Sequence, residues 1–396
     1  MKKSWRWLLR KRHVLFDGGT CKFKMKPFMA FVFTAMLFVV YKTTKLQYER
    51  TELDSKLHPL YPSQEVEVQV DEAWRSLVSL PRGIIHATSD LELKPLWSTS
   101  RSKANVSSPC YLLAIPVGIK QKDNVDNIVQ KFLPVNFTII LFHYDGKMDE
   151  WLNFDWSNQA IHIVVQNQTK WWFAKRFLHP SVVSAYDYIF VWDEDLGVEN
   201  FDPRRYLDIV KSQGFEISQP ALGPKSTGIH HRITVRSKTK IFHRRIYGKG
   251  RTRCSNETEG PPCSGFVEGM APVFSRSAWH CTWHLIQNDL VLGWGMDMKL
   301  GYCAQGDRTQ NIGVVDSEYL VHQGIPTLGG RSAKKGRKTK ELLKRDIIDV
   351  RSQIRYQSTT EFRKFKERWE KAVEEDKNWV DPYKRTIWGL PKKMTG

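Results

Sequence analysis

Apolar runs alternate with polar segments through the middle of the chain, from Cys110 onward. The polar segment Asn124–Phe132 has helical spacing, and a second helix is predicted over Trp172–Leu178. Runs that are apolar on both faces and separated by helices are typical of a mostly parallel sheet covered on both sides. The pattern therefore predicts an α/β domain. Its predicted strands are Tyr111–Val117, Phe137–Tyr144, Ala160–Val165 and Tyr186–Trp192.

The segments on either side of this pattern have a different character. Residues 42–107 mix charges with Ser and Pro in short, irregular apolar clusters, which predicts a stem. The α/β domain is assigned to residues 108–330. Residues 331–396 are predicted to form a basic linker and charged helices over Lys340–Trp379 that pack on the domain from outside.

The apolar stretch Pro27–Tyr41 carries no charge and lies between two lysines. At about 1.5 Å per helical residue it spans about 22 Å, less than the ~30 Å hydrocarbon core, but flanking lysines can snorkel. Residues 1–26 hold nine Lys and Arg against one Asp, whereas the charges after the stretch nearly cancel. The positive-inside rule therefore predicts a single-pass anchor over 27–41 with a cytosolic tail and a lumenal body. A cleaved signal peptide and a buried core helix are the alternatives.

Composition excludes several classes of protein. The 15 Trp and 12% aromatic residues exclude disorder over the whole length, and one short apolar stretch excludes a polytopic membrane protein. Six cysteines without a C-x-x-C pair make a disulfide scaffold or a structural zinc module unexpected. The net charge of +19 suits nucleic acid, anionic lipid or an acidic polymer, so the compartment decides among them.

Features after the anchor agree with an oxidising lumen. Cys254 with Cys263 and Cys281 with Cys303 are candidate disulfides, which leaves Cys110 over, although the sequence leaves other pairings open. The chain also holds four glycosylation sequons, and all of them follow the stretch 27–41. They begin at Asn105, Asn136, Asn167 and Asn256.

Acidic residues directly follow the fourth predicted strand. In an open α/β sheet, ligands bind beyond the carboxyl ends of the strands. Because side chains alternate along an extended chain, Asp193 and Asp195 can point the same way while Glu194 points elsewhere. Two aligned carboxylates suit Mn²⁺ or Mg²⁺ that also grips a diphosphate. Further candidates at the donor are Trp171, Trp172, Lys175 and Arg176, although core packing is the alternative for at least one of the two tryptophans.

Three later motifs follow this D-x-D in a fixed order: the glycine-bearing loop Gly265–Arg276, the segment Gly293–Leu300, and a short strand ending six residues before His322. This order resembles the core of nucleotide-sugar-dependent glycosyltransferases of the GT-A fold, over about residues 108–325. The resemblance implies that Asp193 and Asp195 hold metal and donor, with Gly269 in the glycine loop.

The same resemblance implies roles for two later residues. His322 would complete the metal site, and Asp297 would be the base that activates an acceptor hydroxyl. Met296 stands where that family usually has Glu, which leaves the acceptor-binding acid missing or supplied from elsewhere, with Glu268 as the candidate.

At a closer level the chain resembles a plant family of unknown function, some members of which are called "lysine ketoglutarate reductase trans-splicing related". The stretches 192–206 and 292–324 carry this likeness. That name implies an RNA role, which these residues do not support. The acid-free segment 217–256, with ten Lys and Arg, is either a rim for an anionic ligand or a solvated loop.

The sequence therefore predicts a glycoprotein of the Golgi membrane, single-pass type II, with a GT-A-like lumenal domain. Its expected activity is metal-dependent transfer of a sugar from a nucleotide sugar to a glycan or wall polysaccharide. Its expected partners are the membrane, donor and acceptor, and a Golgi enzyme complex or a second copy of the chain. A non-catalytic glycan-binding scaffold on a degenerate transferase fold is the alternative, and a nuclear or RNA-associated protein is the weaker one.

Overall fold

The computed structural model describes residues 34–45, 79–85, 110–249, 253–325 and 350–383. The chain divides into two units, Met1–Val68 and Gln69–Gly396. In the first unit, residues 34–45 form a helix with exposed side chains. No helix among the described residues is both long enough and apolar enough to cross a membrane. The predicted anchor covers residues 27–41, and its first part, residues 27–33, lies outside the described residues. The anchor therefore stays a prediction.

The second unit is built on a large sheet, and the predicted strands are confirmed with small changes at their ends. Its strands are β1 (Tyr111–Val117), β2 (Phe137–His143), β3 (Ala160–Val164), β4 (Tyr188–Val191), β5 (Leu196–Gly197), β6 (Ile217–Leu222), β7 (Phe242–His243), β10 (Val273–Ser275) and β11 (Ile312–His322). In the described residues their order is β3-β2-β1-β4-β10-β6-β11-β5, and β7 pairs with β11. Two short strands, β8 (Gly248–Lys249) and β9 (Arg253–Cys254), form a separate hairpin.

The sheet is parallel in one half and mixed in the other. Strands β3, β2, β1 and β4 are all parallel, but β10 is antiparallel to both β4 and β6. A parallel neighbour needs a crossover that returns the chain to the starting edge of the sheet. The described residues between 223 and 272 contain no α-helix for such a crossover, so β10 starts at the edge where β6 ends and runs back. The prediction of a mostly parallel sheet is therefore confirmed for β1–β4 and for the pair of β6 and β11, whereas β5, β7 and β10 run antiparallel to their neighbours.

Helices cover both faces of the sheet and begin at capping residues. The helices of this unit are α1 (Lys122–Phe132), α2 (Lys170–Phe177), α3 (Pro203–Ser212), α4 (Arg276–Leu285), α5 (Asp297–Leu300) and α6 (Val350–Glu375). Thr169, Asp202 and Ser275 each accept a backbone hydrogen bond as the N-cap of α2, α3 and α4. Strand residues alternate between two cores, with Leu112 in one and Leu113 in the other.

Helix α6 packs into the domain rather than only on its outside. Phe365, Trp369 and Ala372 are buried in the same core as Ile84 near the other end of this unit. The Arg82 guanidinium donates to Asp376 just after the helix, with Nη2 2.7 Å from Oδ1. Two segments almost 300 residues apart are thereby joined.

Both candidate disulfides are confirmed. Cys254 bonds to Cys263, and Cys281 of α4 bonds to Cys303. Among the described residues, Cys110 is the free cysteine, as predicted. The second bridge ties α4 to the segment that follows α5 and so restrains one side of the region described below.

We predict that Trp369→Ala destabilises the domain by about 3–5 kcal/mol, the usual cost of removing a fully packed Trp side chain. Trp369 is 5% exposed and its ring lies 4.9 Å from the ring of Tyr302. Urea unfolding followed by fluorescence measures the change. Tyr356→Ala, on the same helix but 72% exposed, is the matched control and should change stability by less than about 0.5 kcal/mol. Equal effects of the two variants would show that α6 does not belong to the core.

Candidate active site

A cavity of about 820 Å³ opens at the carboxyl ends of β1 and β4. Pro116 near the end of β1 and the three acids after β4 line it, so these acids lie at a cavity beyond the carboxyl end of their strand, as expected. Its volume lies in the range typical of small-molecule sites. The sequence-predicted residues that line the cavity are Trp171, Asp193, Asp195, Glu268, Gly269, Asp297 and His322.

Asp193 is held by a lysine. The Nζ atom of Lys170 lies 2.5 Å from Asp193 Oδ1 and also donates to the carbonyl oxygen of Gly269 at 2.6 Å. The side chain of Lys170 is only 10% exposed. One ammonium group therefore joins the start of α2, the end of β4 and the loop that precedes β10.

Asp195 is paired with His322, the residue that the resemblance implied as a further metal ligand beside it. The end of β11 runs antiparallel to β5, so His322 lies beside Leu196 and its Nε2 is 3.4 Å from Asp195 Oδ2. The Nδ1 of His322 lies 2.6 Å from the carbonyl oxygen of Thr227. The Asp195 carboxylate raises the pKa of His322 to about 9. Burial is the largest influence and raises the pKa of Asp195, but the hydrogen bond and charge of His322 together with backbone donors outweigh it, so this pKa lies below its usual value.

These contacts do not fit the predicted divalent metal. A metal needs carboxylate and imidazole lone pairs that converge on one point, whereas Lys170 occupies Asp193 Oδ1 and the two ring nitrogens of His322 face the Thr227 carbonyl and Asp195. Across the ranges that the structure describes, no group of three or more His, Cys, Asp or Glu residues is arranged to hold a metal ion.

Glu194 turns toward the ends of β1 and β2. Its Oε2 accepts a hydrogen bond of 2.7 Å from the backbone N–H of Gly118, and Oε1 accepts one from the Tyr144 hydroxyl. Burial raises the pKa of Glu194 to about 8. The residue between the two aspartates therefore has a supporting position, which agrees with the alternation expected from the sequence.

Two further acids line the cavity away from the D-x-D. Asp297 opens α5, and burial raises its pKa. Glu268 is 4% exposed, and neither carboxylate oxygen makes a hydrogen bond of normal geometry. Burial raises the pKa of Glu268 to about 7, assisted by the charge of Asp297 and opposed by the nearby Thr234 hydroxyl. Met296 is buried, so Glu268 is the acid that shares this wall with Asp297.

Trp172 and Lys175, two of the other predicted donor residues, do not line the cavity. The Nζ of Lys175 donates to the carbonyl oxygen of Trp283 and lies 3.7 Å from the centre of its ring. Trp172 packs edge-on against Phe173, with ring centroids 5.5 Å apart. Both side chains therefore pack against other residues of the protein and do not line the cavity.

The residues of α2 that line the cavity are the first two, Lys170 and Trp171. A helix that follows a parallel strand starts at the carboxyl edge of the sheet, so its first turn faces the ligand. Thr169 is the N-cap of α2, so Lys170 is the first residue of the helix. The capping threonine is therefore the signal in the sequence that could have identified Lys170.

The loop before α5 and helix α6 complete the opposite wall. Gly293 has a φ of +71°, and a Cβ there would collide with the ring of Trp171, so only glycine fits. Trp294 is 52% exposed at the cavity. The Glu361 carboxylate of α6 accepts a hydrogen bond of 2.8 Å from the backbone N–H of Leu292. The lining residues from α6 are Ile354, Arg355, Ser358 and Phe362.

Several solved structures superpose on part of the chain. Residues 1–349 of TarS from S. aureus superpose with a TM-score of 0.34 and 8% identity, over 53% of this chain and 59% of that one. The same protein in complex with UDP gives 0.30 over the same shares, also at 8% identity. The mannosyltransferase Ktr4p from S. cerevisiae gives 0.21 and 11% identity, over 43% and 54%. The chain thus covers less than two thirds of these proteins, and TM-scores this low carry no argument about its fold or activity.

Comparison by sequence gives a family. None of the curated proteins compared with the chain matches it. A family described as "Protein of unknown function (DUF707)" matches residues 73–375, which include the whole sheet, the cavity and α6. The chain therefore belongs to this family, whose description states no activity.

Proposed function

We propose that the protein is a glycosyltransferase that moves a sugar from a nucleotide sugar to a hydroxyl of a glycan or cell-wall polysaccharide. The observation that carries the proposal is that Asp193, Asp195, Asp297 and His322 all line one cavity at the carboxyl edge of the sheet. A catalytic site needs these groups together. A glycan-binding scaffold on the same fold has no need to collect them, which favours the enzyme.

Donor and acceptor would use different walls of this cavity. The D-x-D side, with Lys170 and the buried Trp171, suits the nucleoside diphosphate, because charged groups and an aromatic face are available there. The opposite side has the exposed Trp294 beside Asp297, and an exposed aromatic face suits the apolar side of a sugar ring.

In the transfer step the bond from the sugar C1 to the diphosphate oxygen breaks, and a bond from C1 to the acceptor oxygen forms. Asp297 would accept the proton of the acceptor hydroxyl, and the nucleoside diphosphate leaves with the bonding electron pair. Glu268, which lines the same cavity, would orient the same hydroxyl. The dependence on Mn²⁺ that the D-x-D motif predicts is not part of this proposal, because the contacts of Asp193 and His322 do not fit a divalent ion, and no step here requires one.

A Golgi lumen is the proposed location, as a single-pass type II protein. The two disulfides of the domain suit an oxidising compartment, and the basic segment 1–26 before the apolar stretch suits a cytosolic tail. Association with a Golgi enzyme complex or a second copy is part of the proposal.

We predict that a cognate nucleoside diphosphate raises the melting temperature of the full chain by several degrees. At a ligand concentration of about 100 Kd, binding adds about 2.7 kcal/mol to the stability of the folded state. Asp195→Ala should abolish the shift, because it removes the partner of His322 in the donor wall. Asp123→Ala, an exposed aspartate in the first turn of α1, is the control and should keep it. Absence of a shift with every nucleotide, on folded protein, would favour the glycan-binding scaffold.

We expect Asp297→Asn to lower the rate of sugar transfer by about 10²- to 10⁴-fold, the usual contribution of a general base. Nucleotide affinity should stay unchanged, because Asp297 lies on the acceptor side. Release of nucleoside diphosphate from the bound nucleotide sugar measures the first quantity, and titration calorimetry the second. A fall in affinity with an unchanged rate would exclude Asp297 as the base.

Glu268→Gln should stabilise the protein at pH 8 but not at pH 4.5. The carboxyl has a pKa of about 7 in the folded state and an ordinary value near 4.5 when unfolded, so the unfolded state releases its proton first as the pH rises. Ionisation of Glu268 thus lowers the free energy of unfolding of the wild type between about pH 4.5 and 7, by about 3 kcal/mol. Urea unfolding at the two pH values tests this, with the exposed Glu257→Gln as control. A stabilisation that is the same at both pH values would contradict it.

A further inference from the structure

Lys170 is a cation built into the wall where the sequence predicts a metal ion. Its Nζ has three oxygen partners: Asp193 Oδ1 at 2.5 Å, the carbonyl of Gly269 at 2.6 Å and the carbonyl of Met270 at 3.4 Å. This is an oxygen-lined cradle around a single positive charge. The Lys170 side chain is 10% exposed, so the charge lies at the cavity wall rather than in bulk water.

A lysine at position 170 is not favoured by its local structure. It is the first residue of α2, and a positive charge at a helix N-terminus opposes the helix dipole. A nearly buried ammonium also loses hydration. The interactions that offset both effects are those with Asp193 and the Gly269 carbonyl, which are groups of the site itself.

The residues predicted to hold a metal are already engaged with protein groups. Asp193 accepts from Lys170, and Asp195 Oδ2 accepts a hydrogen bond of 3.0 Å from the backbone N–H of Ile325. His322 lies between the Thr227 carbonyl and Asp195, at 2.6 Å and 3.4 Å. A divalent ion would have to displace the lysine to bind Asp193 Oδ1.

We propose that Lys170 supplies the positive charge of the donor site and that the protein binds nucleoside diphosphates without a divalent metal. The inference rests on the proposed function, because it concerns the donor of that reaction. The ammonium neutralises Asp193, which would otherwise repel the diphosphate, and holds the Gly269 loop beside it.

The experiment measures the affinity of the full chain for the nucleoside diphosphate that gives the largest thermal shift, by titration calorimetry in EDTA and in Mn²⁺. The wild type should bind equally well in both. Lys170→Met should weaken binding in EDTA by about tenfold to a hundredfold, the usual loss for one charge-assisted interaction, while Lys170→Arg should retain most of the affinity. Lys120→Met removes the same charge at an exposed position outside the cavity lining and should have no effect.

Each other result overturns the inference in a recognisable way. Loss of wild-type binding in EDTA would show that a metal is required and would leave the proposed transferase standing. Undiminished binding by Lys170→Met in EDTA would exclude the lysine as the cation. Absence of nucleotide binding in both buffers, with a folded wild type, would overturn the proposed function as well. A thermal melt of each variant without ligand separates lost binding from lost folding.

Discussion

The ion pair between Lys170 and Asp193 is the interaction on which the geometry of the cavity depends. It joins the start of α2 to the end of β4, and the same ammonium holds the carbonyl of Gly269 before β10. The Lys170 side chain is 10% exposed and the Asp193 side chain 35% exposed, so removing either partner would leave the other charge partly shielded from water and without its counter-charge. The pair therefore sets both the shape of the donor wall and its charge.

The other wall depends on parts of the chain that are distant in sequence. Helix α6 buries Trp369 and Phe365 in the core, and its Glu361 holds the loop around Leu292. The bidentate pair of Arg368 with Asp289, with both distances 2.6 Å, adds a second tie to the same loop. This loop contains Trp294, so the position of the acceptor side of the proposed site depends on how α6 packs on the domain.

Buried acids around the cavity reduce the stability of the fold, and the way each acid is stabilised indicates whether it has a structural role or faces a ligand. Glu194 is satisfied by Gly118 and Tyr144, so its burial is compensated by hydrogen bonds. Glu268 has weaker compensation, because neither oxygen has a hydrogen-bond partner of normal geometry and the nearby Thr234 hydroxyl only partly offsets its burial. It is nevertheless 4% exposed and lines the cavity together with Asp297. A carboxyl kept in this state is expected where a ligand supplies the missing partner, since structural positions favour satisfied groups.

The sequence by itself determined the α/β class and the strands β1–β4 through its apolar runs, and it placed Asp193 and Asp195 at a strand end. It offered both disulfides as candidates with the pairing open, and Gly269, Asp297 and His322 came from the resemblance to GT-A transferases. Tertiary structure decided the rest. The antiparallel course of β10 depends on which edge the chain leaves, and the wall from α6 depends on contacts across more than 60 residues. The choice of Lys170 over Lys175 depends on which turn of α2 meets the cavity. Periodicity places charged residues on a helix, but only the packing of that helix decides which of them reaches the site.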